Sequence, residues 1–150
     1  MKTASEVLAV ALREGIEPGL RRLGFKGSRG LFELPDAEVW RLLGIQKSSG
    51  SSSSRIRFTI NVMIMDKSVW QEARIGFLKA PVRPNPNHAY GPWGRPQRIG
   101  KLLPGGLDHW WEVNDRTSPQ RLAAGVLASA ESYAVPFLRG GGVTAESPSP

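Results

Sequence analysis

Between Arg55 and Met65, Ile56, Phe58, Ile60, Val62 and Ile64 alternate with Arg57, Thr59 and Asn61. Successive side chains of a strand point to opposite faces, so this period of two predicts a β-strand with one face in a core and the other polar at its start. The chain is therefore committed to a sheet, and to elements that cover the apolar side of it.

Two amphipathic helices are available for that cover. Thr3 and Glu6 stand at capping-box spacing, and Val7, Leu8, Ala11, Leu12 and Ile16 follow at intervals of three to four. Pro18 lacks an amide and crowds Glu14, which predicts a kinked or split helix continuing through Leu20 and Leu23 to Gly24. Near the other end, Ser118-Pro119 sets an N-cap with proline in the first turn. The stripe Leu122, Val126, Leu127, Ala130, Tyr133, Ala134 and Phe137 then runs to Gly140-Gly141-Gly142.

Further strands follow from shorter signals. Gly30–Leu34 and Val39–Lys47 read as a hairpin turned at Pro35-Asp36-Ala37-Glu38, the run Ser48–Ser54 as a connection, and Asp108–Val113 as another strand. Ser68–Phe77 suits either a short helix or an edge strand. Pro81–Pro96 holds five prolines, which exclude regular helix and central strand, so a long loop is expected there. The predicted architecture is α+β, an antiparallel sheet flanked by the helices Thr3–Leu23 and Ser118–Leu138.

A chain of 150 residues matches one domain that buries roughly 70% of its unfolded surface. We expect a single domain over 1–138 and a flexible Gly/Pro/Ser tail over 139–150. The absence of cysteine excludes disulfides, thiol nucleophiles, iron-sulfur clusters and cysteine zinc sites. Glu6, Arg13 and Glu14 interrupt the opening segment where a secretory signal needs an unbroken apolar stretch, and no apolar run approaches about 18 residues, so a cytoplasmic location without membrane contact is expected.

Several pieces, taken in order, carry a resemblance. They are Gly24-Phe25-Lys26 after the first helix, Ile45-Gln46-Lys47-Ser48 ending a strand, the strand Phe58-Thr59-Ile60-Asn61-Val62, Arg98-Ile99-Gly100, and Trp110-Trp111 before the last helix. In these the chain resembles the bacterial domain of unknown function 4304 family over about residues 5 to 138. The resemblance implies an α+β fold with helices against a sheet, and it brings no catalytic residues.

Reaction chemistry finds little to use. Gly94 and Gly100 are separated by five residues and Leu102 follows Lys101, which breaks the phosphate-loop pattern. A metal-dependent nuclease pairing Asp36 with an acid two residues before Lys47 meets Ile45 there, which supplies no oxygen ligand. His88 and His109 are the two histidines, and His109 beside Trp110 reads as a strand residue as readily as a base. Asp108 and Glu112 suit a solvated acidic face. The tryptophans Trp40, Trp70, Trp110 and Trp111 read as core or core edge with indole donors seeking partners. No catalytic residue, metal ligand or cofactor is expected.

Charge singles out one stretch. Residues 73–107 hold six Lys and Arg and no acid, so most of the net charge of +7 lies there. Within it Arg83, Arg95, Arg98 and Lys101 accompany His88, Tyr90 and Trp93. Cations neutralise phosphates and aromatic faces stack on bases, the composition of a single-strand binder. The competing reading is a proline-rich loop that packs Tyr90 and Trp93 over apolar surface with its arginines solvated. The polar strand end Gln46-Lys47-Ser48 is a further point where a ligand could be met. The leading expectation is a nonenzymatic binding or protein-interaction module, accessory or immunity-like in kind, that meets a protein partner or an anionic ligand through these seven residues. Nucleic-acid binding through 83–101 is the alternative and a hydrolase or nuclease the third.

Overall fold

The computed structural model describes residues 3–77 and 80–141. Of the expected tail, residues 142–150 lie outside the described residues. The fold is α+β: among the described residues six strands form one antiparallel sheet, with one helical segment before it in the chain and another after it. No helix among the described residues is long and apolar enough to cross a membrane.

The N-terminal helix begins at α1 (Ala4–Ala11), where Thr3 Oγ1 accepts from the Glu6 amide at 3.1 Å and the Glu6 carboxylate accepts from the Thr3 amide at 2.7 Å. The predicted split is present: a π-turn over Leu12–Ile16 precedes α2 (Glu17–Arg22), with Pro18 in the first turn of α2. Widening the turn before Pro18 accommodates the missing amide without ending the helix.

Strands β1 (Lys26–Ser28) and β2 (Leu31–Glu33) form a tight hairpin. Its turn, Arg29-Gly30, has φ of 56° and 79°, the left-handed pair that matches the twist of two paired strands and that glycine accepts without strain. The β2–β3 hairpin, with β3 spanning Val39–Lys47, follows expectation. β4 (Ile56–Asp66) is the central strand, and β3 pairs along its full length. On the other side of β4 lie two short strands, β5 (Gln97–Arg98) opposite Asn61 and Val62, and β6 (Trp111–Val113) opposite Ile56 to Phe58. β6 is shorter than predicted because the chain before it is tied to the sheet by a side chain: Thr59 Oγ1 donates to the His109 carbonyl at 2.6 Å.

The sheet has two covered faces. On one, Leu43, Ile56, Phe58, Ile60 and Val62 pack with Val7, Leu8, Leu20 and Val126 of the terminal helices, the C-terminal one beginning at α4 (Pro119–Ser129) and continuing through π-turns. Ser118 caps it as expected, accepting from the Arg121 amide at 3.2 Å.

The second face corrects the sequence expectation, because Thr59 and Asn61 are fully buried instead of half-exposed. Asn61 is met by Asn87 of the segment after β4, and Thr59 by the His109 carbonyl before β6. Helix α3 (Lys67–Ala73) and the proline-rich loop lay Trp70, Ala73 and Tyr90 over Leu42, Met63 and Met65, a second apolar cluster. The Trp70 indole donates to the carbonyls of Pro81 and Val82, and Tyr90 packs edge-on against Trp70 at 4.7 Å between ring centroids. Trp40 at the rim behaves otherwise: its indole nitrogen is buried without a partner, and Lys67 Nζ lies over its ring at 4.4 Å.

A candidate anion site on the polar half of the second sheet face

The second face is apolar at one end and polar at the other, and the site lies at the polar end. In an antiparallel pair, directly opposed residues share a face. The register pairs Gln46 with Thr59, Gly44 with Asn61, and Asn61 with Arg98, which lines up amides and a guanidinium across β3, β4 and β5.

The loop reaches this floor at Gly44. A β-carbon there would overlap Asn87 and Pro86, so only glycine lets the loop seat against the strand. Seated there, Asn87 joins the floor. Asn61 Nδ2 donates to Gln46 Oε1 at 2.6 Å and to Asn87 Oδ1 at 2.9 Å, while Asn87 Nδ2 donates to the Ile45 carbonyl at 3.3 Å. Three amides from two strands and a loop thus hold one another, which removes the penalty of burying Asn61.

Beside them opens a cavity of about 540 Å³ lined by Gln46, Asn61, Asn87, Arg95, Arg98, Lys101 and Asp108, with Ala89 and Pro96. Its lining carries three cations and one carboxylate. Asp108 is engaged: its Oδ2 accepts from Arg98 at 3.2 Å and from the Trp110 indole at 3.0 Å. The guanidinium of Arg98 lies 4.9 Å from the Trp110 ring centre, and that of Arg57 lies at 5.3 Å from the same ring. Arg95 and Lys101 form no ion pair among the described residues. Further along the sheet Glu112 is held below its ordinary carboxylate range, chiefly by the hydrogen bond from Arg55 at 2.8 Å, with the charge of Arg57 adding to it.

The seven residues expected to contact a ligand divide in two. Arg95, Arg98 and Lys101 face the cavity. Arg83 is committed to Glu33 at 2.6 Å. The Tyr90 ring lies in the second apolar cluster and its hydroxyl accepts from the Asn85 amide at 2.9 Å. Trp93 stands edge-on to Phe77 at 5.8 Å, and His88 lies exposed 6.3 Å from Tyr90. Of the three aromatic residues Tyr90 is buried while Trp93 and His88 are exposed, and the basic residues from Arg95 onward line the cavity. Gln46 belonged to a strand end already suspected of meeting a ligand. Asp108 reads in the sequence, with Glu112, as a solvated acidic face, and Asn61 and Asn87 are not among the expected ligand residues; the available signal is polar residues on a strand whose far end, Met63 and Met65, is apolar on the same face.

Among the described residues no group of three His, Asp or Glu side chains converges. Neither the curated proteins nor the solved structures contain a match to this chain. The model of one family, described as a domain of unknown function (DUF4304), matches residues 16–140, which run from the end of the π-turn in the first helix to the end of the last helix. The chain belongs to that DUF4304 family.

Proposed function

We propose that this protein is a nonenzymatic binding module whose cavity receives an anionic ligand. The observation that carries this reading is the convergence of Arg95, Arg98 and Lys101 on one cavity whose lining also includes Gln46, Asn61 and Asn87. Its volume of about 540 Å³ falls in the small-ligand range of about 300–1,000 Å³. Arg95 and Lys101 have no counter-charge among the described residues, so an entering anion gains their field without breaking an existing pair. Arg98 is prepositioned by Asp108 and Trp110, which lowers the side-chain entropy lost on binding. The lone carboxylate is already occupied, which suits recognition by charge and hydrogen bonding.

The test is calorimetric titration with inorganic phosphate, pyrophosphate and citrate, in the parent and in an Arg95→Ala/Lys101→Ala variant. At least one of the three should bind the parent saturably, and the variant should bind it roughly tenfold more weakly with a shallower salt dependence. Because neither side chain holds a structural ion pair, the thermal unfolding of the variant should match the parent. Absence of saturable binding of all three anions, or equal affinity in the variant, overturns the reading.

A further inference from the structure

The hydrogen-bonding balance of the cavity floor narrows the ligand class. Both hydrogens of Asn61 Nδ2 are used, on Gln46 Oε1 at 2.6 Å and Asn87 Oδ1 at 2.9 Å. This arrangement orients the amides: Gln46 turns its oxygen to Asn61, and its Nε2 donates to no protein acceptor among the described residues. Asn61 lines the cavity with 1% of its surface exposed, and its Oδ1 accepts from no protein donor among the described residues. The floor therefore offers a free donor and a free acceptor from neighbouring amides on adjacent strands.

A donor beside an acceptor complements a planar group that presents an acceptor beside an N–H. The lactam and amidine edges of nucleobases have this form, and asparagine and glutamine read such edges in pairs. Uncharged amides select a neutral edge, whereas the anion must be met by the cations. Those continue from the floor, Arg98 on β5 beside Asn61, Lys101 in the turn Ile99–Lys101 that follows, and Arg95 just before. Ala89 and Pro96 supply apolar lining between polar groups. A ligand with a neutral hydrogen-bonding edge, an apolar ring face and a terminal phosphate satisfies all three.

We infer that the cavity takes a single nucleoside phosphate, with its base edge on Gln46 and Asn61 and its phosphate on Arg95 and Lys101. The inference rests on the anion-binding reading above and adds the base edge to it. Leaving the floor amides unpaired is costly, so an analogue with the phosphate but no base binds much more weakly.

The experiment titrates adenosine, guanosine, cytidine and uridine 5′-monophosphates, ribose 5-phosphate and a single-stranded oligonucleotide into three proteins: the parent, Arg95→Ala/Lys101→Ala, and Gln46→Met. Gln46 is half-exposed and methionine keeps its length, but it withdraws the Oε1 that accepts from the buried Asn61 amide, so the thermal unfolding of this variant is recorded first, and the comparison of mononucleotides with ribose 5-phosphate in the parent carries the test should it unfold. At least one mononucleotide should bind the parent roughly tenfold more tightly than ribose 5-phosphate. A folded Gln46→Met should shrink that difference, while the double variant should weaken both ligands. Equal affinity for ribose 5-phosphate and every mononucleotide, with the double variant still defective, overturns the nucleotide and leaves the anion site standing. An oligonucleotide bound more than about tenfold more tightly than any mononucleotide overturns the single-nucleotide occupant. Indifference of all ligands to the double variant removes both readings together.

Discussion

Asp36 does by itself what the β2–β3 turn needs. Its Oδ2 accepts from the amides of Glu38 at 2.8 Å and Val39 at 2.9 Å, and its Oδ1 accepts from Arg41 Nε at 3.3 Å. The two backbone amides, and after them Arg41, hold its carboxyl below the ordinary value of 3.8. A carboxyl whose pKa is lower in the folded state binds its proton more weakly there than in the unfolded chain. Its stabilisation is therefore complete above the ordinary carboxylate value and is lost as pH falls through the lower, folded one. Asp36→Ala should melt below the parent near neutral pH, and the gap should narrow progressively in acid below about pH 4. Thermal melts across that range decide it, and a gap that stays constant down to the acid limit contradicts the assignment. The neighbouring Arg41 extends the same contact to the Leu138 carbonyl at the end of the last helix, so this turn also ties sheet to helix.

At the scale of elements, β4 shows both what a sequence pattern carries and where it stops. The alternation Ile56, Phe58, Ile60, Val62 predicts the strand and its helix-side face, and both are present. The opposite face reads as polar because Arg57, Thr59 and Asn61 are polar, yet only Arg57 of the three is exposed. The partners come from far along the chain, Asn87 for Asn61 and His109 for Thr59, non-local contacts that leave no periodicity in β4 itself. The hairpin strand β1 was missed for a related reason: Lys26-Gly27-Ser28 has no apolar side chain to alternate and is held by backbone pairing. Thr59 tests the buried polar face directly. Thr59 is fully buried, and its hydroxyl donates to the carbonyl of the partly buried His109 at 2.6 Å. Thr59→Val keeps the shape and leaves that carbonyl without its donor, so stability should fall by about 1–3 kcal/mol in denaturant unfolding. A variant as stable as the parent would mean that the carbonyl finds another donor and that the approach to β6 is not pinned there.

For the whole molecule, the sheet separates two cores of different origin. The helix-side core joins the two ends of the chain, whereas the second cluster and the cavity both depend on the segment between β4 and β5. Trp70, Tyr90 and Phe77 hold that segment at its apolar end, and Asn87 holds it at the polar end. The cavity is half sheet and half loop, since Gln46 and Asn61 come from strands while Asn87, Ala89, Arg95 and Pro96 come from the segment that seats on them. Ligand binding is therefore coupled to docking of the loop, and a ligand at about 100 times its dissociation constant should add about 2.7 kcal/mol of stability. Gly44 isolates that coupling, because its backbone is outside the left-handed region and a side chain there is opposed by sterics alone. Gly44→Ala places a methyl group against Asn87 and Pro86, and the strain of such overpacking, typically about 1–3 kcal/mol, is relieved most readily by lifting the loop. The helix-side core contains no atom of Gly44 or Asn87, so far-ultraviolet circular dichroism should stay at the parent level. Anion binding should weaken, and the ligand-induced rise in melting temperature should shrink with it. Parent-like affinity in Gly44→Ala would show that the loop adjusts without leaving the cavity, and that its seat on β3 is not what holds Asn87 over the floor.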